Sequence, residues 1–141
     1  MFSKVLTGVV ALTFAAGIAY AAEKDPLKPR VPGDQMAAAK AVKNPVANTP
    51  DNVAKGKGIF EGKGGCTACH GAKGDGKGPG AMGLDPSPRN FHNADWQKAR
   101  TDGELKWVVT NGSAGTGMIA QKGVLSDEEM WQAIVYVRSM K

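Results

Sequence analysis

The stretch Cys66-Thr67-Ala68-Cys69-His70 constrains this chain more than any other. Two cysteines three apart, with a histidine directly after, form the attachment signature of a c-type haem. On one helical turn, residues i and i+3 share a face, so both thiols can reach the two vinyl groups of one porphyrin. His70 is then held where its Nε2 can bind the iron from one side. A chain built on such a turn has to fold around a large, flat, mostly apolar group. Two other readings of these residues exist. A redox Cys-x-x-Cys dithiol belongs in a βαβ pattern, and none surrounds it. A zinc site needs four ligands, and Cys66, Cys69, His70 and His92 are the whole stock of Cys and His, poorly spaced for that purpose.

Residues 1–21 read as an export signal. Lys4 supplies a short positive start, Val5 to Ile18 is uncharged and mostly apolar, and Ala19-Tyr20-Ala21 fits a small-x-small cleavage site. The alternative is a retained anchor, since Val5–Ala22 is 18 residues without a charge, at the lower edge of what spans a bilayer. Thr, Gly and Ala dilute it, and the Ala-x-Ala end favours cleavage. The expected location is therefore the periplasm, with no stable membrane insertion once the signal is removed. Export and covalent haem attachment support each other, because in bacteria this motif meets haem outside the cytoplasm.

The whole chain carries a formal net charge of +5. Residues 1–21 hold one of its basic residues and no acid, which leaves 17 basic and 13 acidic residues, or +4, in the exported part. No aromatic-studded basic stripe accompanies that mild excess, so nucleic acid is not an expected partner. The exported part has about 120 residues, one domain's worth at most.

Within it, Ala22 to Asn48 reads as an arm. Pro26, Pro29, Pro32 and Pro45, many charges and few large apolar side chains leave it unable to bury a core of its own. A short helix from Gln35 to about Lys43, with Asp34 as N-cap, is the one element expected there. The arm is expected to be mobile or to lie on the domain as a strap.

The domain itself is read as 49–141. Thr49 caps a helix that opens on Pro50 and runs to about Glu61, presenting Val53, Ile59 and Phe60. Gly56 and Gly58 are poor helix formers, and make sense where another helix crosses close to the backbone. A glycine-dominated loop, 62–83, follows; such a loop brings backbone close to a flat ligand, and no phosphate-binding pattern is present in it. Pro79 lies beyond the histidine, where its carbonyl could accept the Nδ1–H of His70. A short helix is expected over Ala94–Ala99 after Asn93, with Trp96 inward. Thr101 and Glu104 form a capping box for a helix ending at Asn111-Gly112 that carries Leu105, Val108 and Val109. Ser126 and Glu129 form a second, opening a helix whose apolar face includes Met130, Ile134 and Val137, with Tyr136 placed to cross the first helix near Gly56 and Phe60. No segment alternates as a strand.

Between those last helices lies an open loop, 112–123, containing Met118. A thioether is a soft ligand suited to a haem iron, and this loop could bring it to the face opposite His70. A core methionine is the plainer reading in most proteins. Met82 and His92 are the competing sixth ligands.

Taken together, residues 49–141 resemble a small bacterial class I cytochrome c with one haem. Cys66, Cys69 and His70 match the family's attachment motif, and Gly56, Phe60 and Tyr136 its contact between first and last helices. Pro79 falls at the family's histidine-holding proline and Met118 at its distal methionine. The resemblance implies an all-α fold of three to five short helices around one covalent haem c and its iron. It implies single-electron transfer between redox partner proteins by Fe(III)/Fe(II) cycling, with no enzymatic turnover. Trp96, Arg89 and Trp107 are candidate hydrogen-bonding partners for the haem carboxylates. Lys57, Lys63, Lys73 and Lys77 would steer an acidic partner if they ring the exposed edge; otherwise they are solvated surface. Two rivals stay open: a haem enzyme with an open sixth site, and the haem subunit of a larger periplasmic dehydrogenase or oxidase.

Overall fold

The computed structural model describes residues 23–141; the export signal read at 1–21 lies outside the described residues. Six α-helices follow one another: α1 (Gly33–Ala41), α2 (Pro50–Glu61), α3 (Thr67–His70), α4 (Ala94–Ala99), α5 (Asp102–Asn111) and α6 (Asp127–Ser139), with a 3-10 turn at Pro79–Ala81. Among the described residues there is no strand, only an isolated bridge between Lys122 and Leu125. The fold is all-α.

Side-chain caps set most helix starts. The Thr49 hydroxyl accepts from Asn52 N at α2, and Asn93 Oδ1 accepts from Asp95 N and Trp96 N at α4. Thr101 with Glu104 and Ser126 with Glu129 close both capping boxes in full. Each satisfies amide N–H groups that the first helical turn leaves without partners. At α1 the expectation needs correction. The helix opens at Gly33 after Pro32, no side chain caps it, and Asp34 sits inside the first turn, favouring the positive end of the dipole.

The first and last helices of the domain, α2 and α6, cross at Gly56. A methyl group there would overlap the Gln132 carbonyl oxygen and press on Tyr136 Cβ, so only glycine permits this approach. Phe60, 1% exposed, packs its edge against the Tyr136 ring with centroids 5.4 Å apart. Phe91, Trp96, Leu105, Trp131, Ile134 and Val137 complete the core. Gly58, by contrast, faces open space. Gly58→Ala should therefore raise stability by about 0.5–1 kcal/mol through helix propensity, while Gly56→Ala should cost about 1–3 kcal/mol or more by forcing the helices apart. Thermal melting of the two variants checks both signs.

The arm packs on the domain along its length. Gly103 in α5 lets the carbonyls of Ala39 and Val42 come so close that any larger residue would overlap them. Trp107 Nε1 donates to Gln35 Oε1 at 2.7 Å, and Val31 is buried. Nearer its start, the arm is held by arginines. Arg89 donates to the carbonyls of Asp25 (3.0 Å) and Lys28 (3.1 Å), and Arg100 donates to that of Leu27.

Candidate haem site

A cavity of about 380 Å³ opens between α3, the loops on either side of α4, the inner face of α5 and the arm. Cys66, Cys69 and His70 line it, and so does Met118 from the loop after α5. Leu84, Phe91, Trp96, Leu105, Val108 and Val109 make its wall largely apolar. The helical turn of α3 does what the Cys-x-x-Cys-His spacing suggested, presenting both thiols and the imidazole to one space.

The His70 ring is stacked on Phe91, centroids 4.5 Å apart and planes 21° from parallel. Burial lowers its pKa below the ordinary histidine value, against the opposing pull of the Arg89 carbonyl, which favours the neutral ring, the form that can ligate a metal. Its Nδ1 lies 3.2 Å from the Arg89 carbonyl oxygen. That geometry fits an Nδ1–H donor and leaves Nε2 free for a metal. The expected acceptor, Pro79, needs correction: it is exposed, opens the 3-10 turn and does not line the cavity. Gly78, just before it, is wedged against the Ala68 and Thr67 carbonyls, which ties the turn to the back of α3 rather than to the imidazole. Neither the Arg89 carbonyl nor the Phe91 stack was foreseen. Both lie about 20 residues beyond the motif, and no local pattern in the sequence links them to it.

Met118 is half-buried, its amide accepted by Thr116 Oγ1 at 3.1 Å and its carbonyl accepting from Ser113 N at 3.0 Å. These bonds shape the loop that carries it to the cavity. Its competitors stand elsewhere. Met82 is 64% exposed and outside the lining, and exposed His92 places Nε2 2.7 Å from the Lys73 carbonyl oxygen.

The other metal and redox readings fare poorly. Among the described residues no group of three or more His, Cys, Asp or Glu could hold a metal ion. Burial pushes the Cys66 thiol up to about 11, the reverse of what a reactive dithiol needs. A thiol consumed as an uncharged thioether carries no such requirement. Two buried polar atoms on the lining residues, Arg100 Nε and Ser113 Oγ, have no hydrogen-bond partner among the described residues. An apolar hollow with a thiol pair, a neutral imidazole, a thioether and two unspent polar groups fits a haem.

Of the haem-carboxylate candidates, Trp96 and Arg89 line the cavity, but Trp107 does not and spends its indole N–H on Gln35. Two of the four lysines have carboxylate neighbours: Lys63 pairs with Glu129 at 2.8 Å, and Lys57 lies 3.8 Å from Glu61.

Residues 53–141 match the family described as Cytochrome c. The chain belongs to the cytochrome c family. No curated protein sequence matches it. A solved chain of the Kuenenia stuttgartiensis reducing HAO-like protein complex Kustc0457/Kustc0458 is 31% identical over 68% of this cytochrome, with a TM-score of 0.60. This cytochrome spans 46% of that chain, less than half its length. The KustC0563 c-type cytochrome is 26% identical over 61% of this chain and 96% of its own, with a TM-score of 0.51. Cytochrome CL from the marine methylotrophic bacterium Methylophaga aminisulfidivorans MPT shares the fold at 19% identity, covering 86% of this chain and 71% of its own, with a TM-score of 0.53. Membership brings covalently bound haem c with its iron and the family's haem-based electron transfer.

Proposed function

We propose that this is an exported, single-haem electron carrier with Cys66 and Cys69 as thioether anchors and His70 and Met118 as axial ligands. The observation that carries the reading is that these four residues, drawn from two distant segments, line one cavity while Met82 and His92 stand outside it. When bound, the haem supplies a metal centre that cycles between Fe(III) and Fe(II). The chain's part is to hold it still, dry and closed. The Arg89 carbonyl and Phe91 fix the imidazole, the Met118 loop would supply the second ligand, and the apolar wall would exclude water. With His70 and Met118 both holding the iron, no coordination site would be left for a substrate, which favours a carrier over an enzyme.

Export is proposed from residues 1–21, and among the described residues no helix is long and apolar enough to cross a membrane. Optical spectra of the matured protein in both redox states test the assignment. A far-red sulfur-to-iron band in the ferric state and one haem per chain are expected. A ferric spectrum that changes readily on adding small anions would instead indicate an open sixth site and overturn it.

The likeness to a chain of a reducing HAO-like complex favours a second reading, in which this chain is the carrier subunit of a larger redox assembly. A stable larger partner on purification would establish that form. Of the expected docking lysines, exposed Lys73 and Lys77 belong to no salt bridge among the described residues. An acidic partner would find these two, and its association rate should fall with rising salt and respond to K73Q/K77Q.

A further inference from the structure

The cavity is charged at one end. Lys28 and Arg30 from the arm, Arg89 from the loop before α4 and Arg100 after it all line it. Two carboxylates answer them: Glu104 takes Arg100 Nη1 at 2.7 Å, and Glu23 takes Arg89 Nη1 at 3.3 Å. Asp85, nearby in the chain, is paired with Lys24. Lys28 and Arg30 have no carboxylate partner among the described residues, so four cations face two anions. Burial pulls the Arg89 guanidinium below its ordinary value against the pull of Glu23, with Arg30 and Arg100 adding repulsion. Arg100 keeps a buried Nε with no partner among the described residues. Like charges gathered beside an apolar hollow are costly unless an anion joins them.

A porphyrin of this type carries two carboxylates, which equals the excess. We infer that residues 23–31 are a wall of the haem site, with Lys28 and Arg30 joining Arg89 and Arg100 to receive the haem carboxylates. The family match begins at residue 53, so two of the four cations come from outside it. Glu104 serves as a positioning residue. Its Oε2 accepts from Thr101 N and its Oε1 from Arg100, and at 2% exposure it fixes that guanidinium at the cavity edge.

The inference rests on the haem assignment, and its test separates the two. Cations near the iron favour the less positive reduced state, so removing them lowers the reduction potential. The matured, haem-loaded R30Q/K28Q variant should shift the Fe(III)/Fe(II) equilibrium about tenfold toward Fe(III), which is about 59 mV for one electron. K28Q alone, at an exposed position, should give part of that shift even if the double variant matures poorly. K40Q/K98Q removes two exposed charges that do not line the cavity and should shift the potential much less. The far-red band should persist in all three. A potential in R30Q/K28Q and K28Q no lower than in K40Q/K98Q, with that band intact, overturns the role of the arm and leaves the ligand assignment standing. Absence of the band from the unaltered protein would overturn the ligands instead.

Discussion

In Met118→Ala, the haem-loaded protein loses its far-red sulfur-to-iron band and its reduction potential falls, while Met82→Ala leaves both where they were. A thioether stabilises Fe(II) over Fe(III) relative to nitrogen or oxygen ligands. Axial ligands command roughly 0.8 V across haem proteins, and a fall on the order of a quarter of that range is expected here. Stability should fall too, because Met118 lines the cavity and its truncation leaves space behind. The comparison with Met82 matters because that side chain has the same chemistry in a loop of similar composition, yet is 64% exposed and outside the lining. Redox titration with optical readout decides it. Equal effects of the two substitutions would remove Met118 from the coordination sphere.

Cys66→Ala/Cys69→Ala, which cannot form either thioether, should give a chain that is largely unfolded when haem-free. A cavity of about 380 Å³ left unfilled costs at most about 9 kcal/mol at roughly 24 cal/mol per Å³. That is comparable with the 5–15 kcal/mol of a whole small domain. The chain has little in reserve, since α3 and α4 are 4 and 6 residues long and need tertiary contacts to persist. Helix α6 pairs Arg138 with Asp102 at 2.7 Å and Gln97 at 2.7–2.9 Å, ties that depend on α4 and α5 already being in place. Far-UV circular dichroism showing full native helix content without haem would refute this expectation.

How much of this could be read from residues alone depends on where the information is stored. Helix starts were legible because their signals are local: Thr49, Asn93, Thr101 and Ser126 each cap within three residues of themselves. The close crossing at Gly56 was legible as an awkward glycine, although Gly58 carried the same signal and faces open space. The spacing of the attachment turn and the open loop around Met118 suggested that Cys66, Cys69, His70 and Met118 meet in one place, and all four line one cavity. The arm's path was not. It is held through its own backbone carbonyls, at Asp25, Leu27 and Lys28, and every residue type carries a carbonyl. The acceptor facing His70 was misplaced for the same reason, since Pro79 drew attention as a proline while Arg89 takes the role through its main chain. The pairing of Lys63 with Glu129 spans 66 positions and leaves no local trace.

The strap that Arg89 and Arg100 hold across the cavity has a temporal meaning. Whatever machinery joins porphyrin to the two sulfurs must reach them from outside, and a docked strap would stand in its way. If Lys28, Arg30 and Val31 border the bound haem as inferred, residues 23–31 leave the ribosome before the helices they rest on and would settle for good only after attachment. On that inference assembly would reverse the order of synthesis, and a crosslink pinning the strap early should stall maturation at the colourless stage.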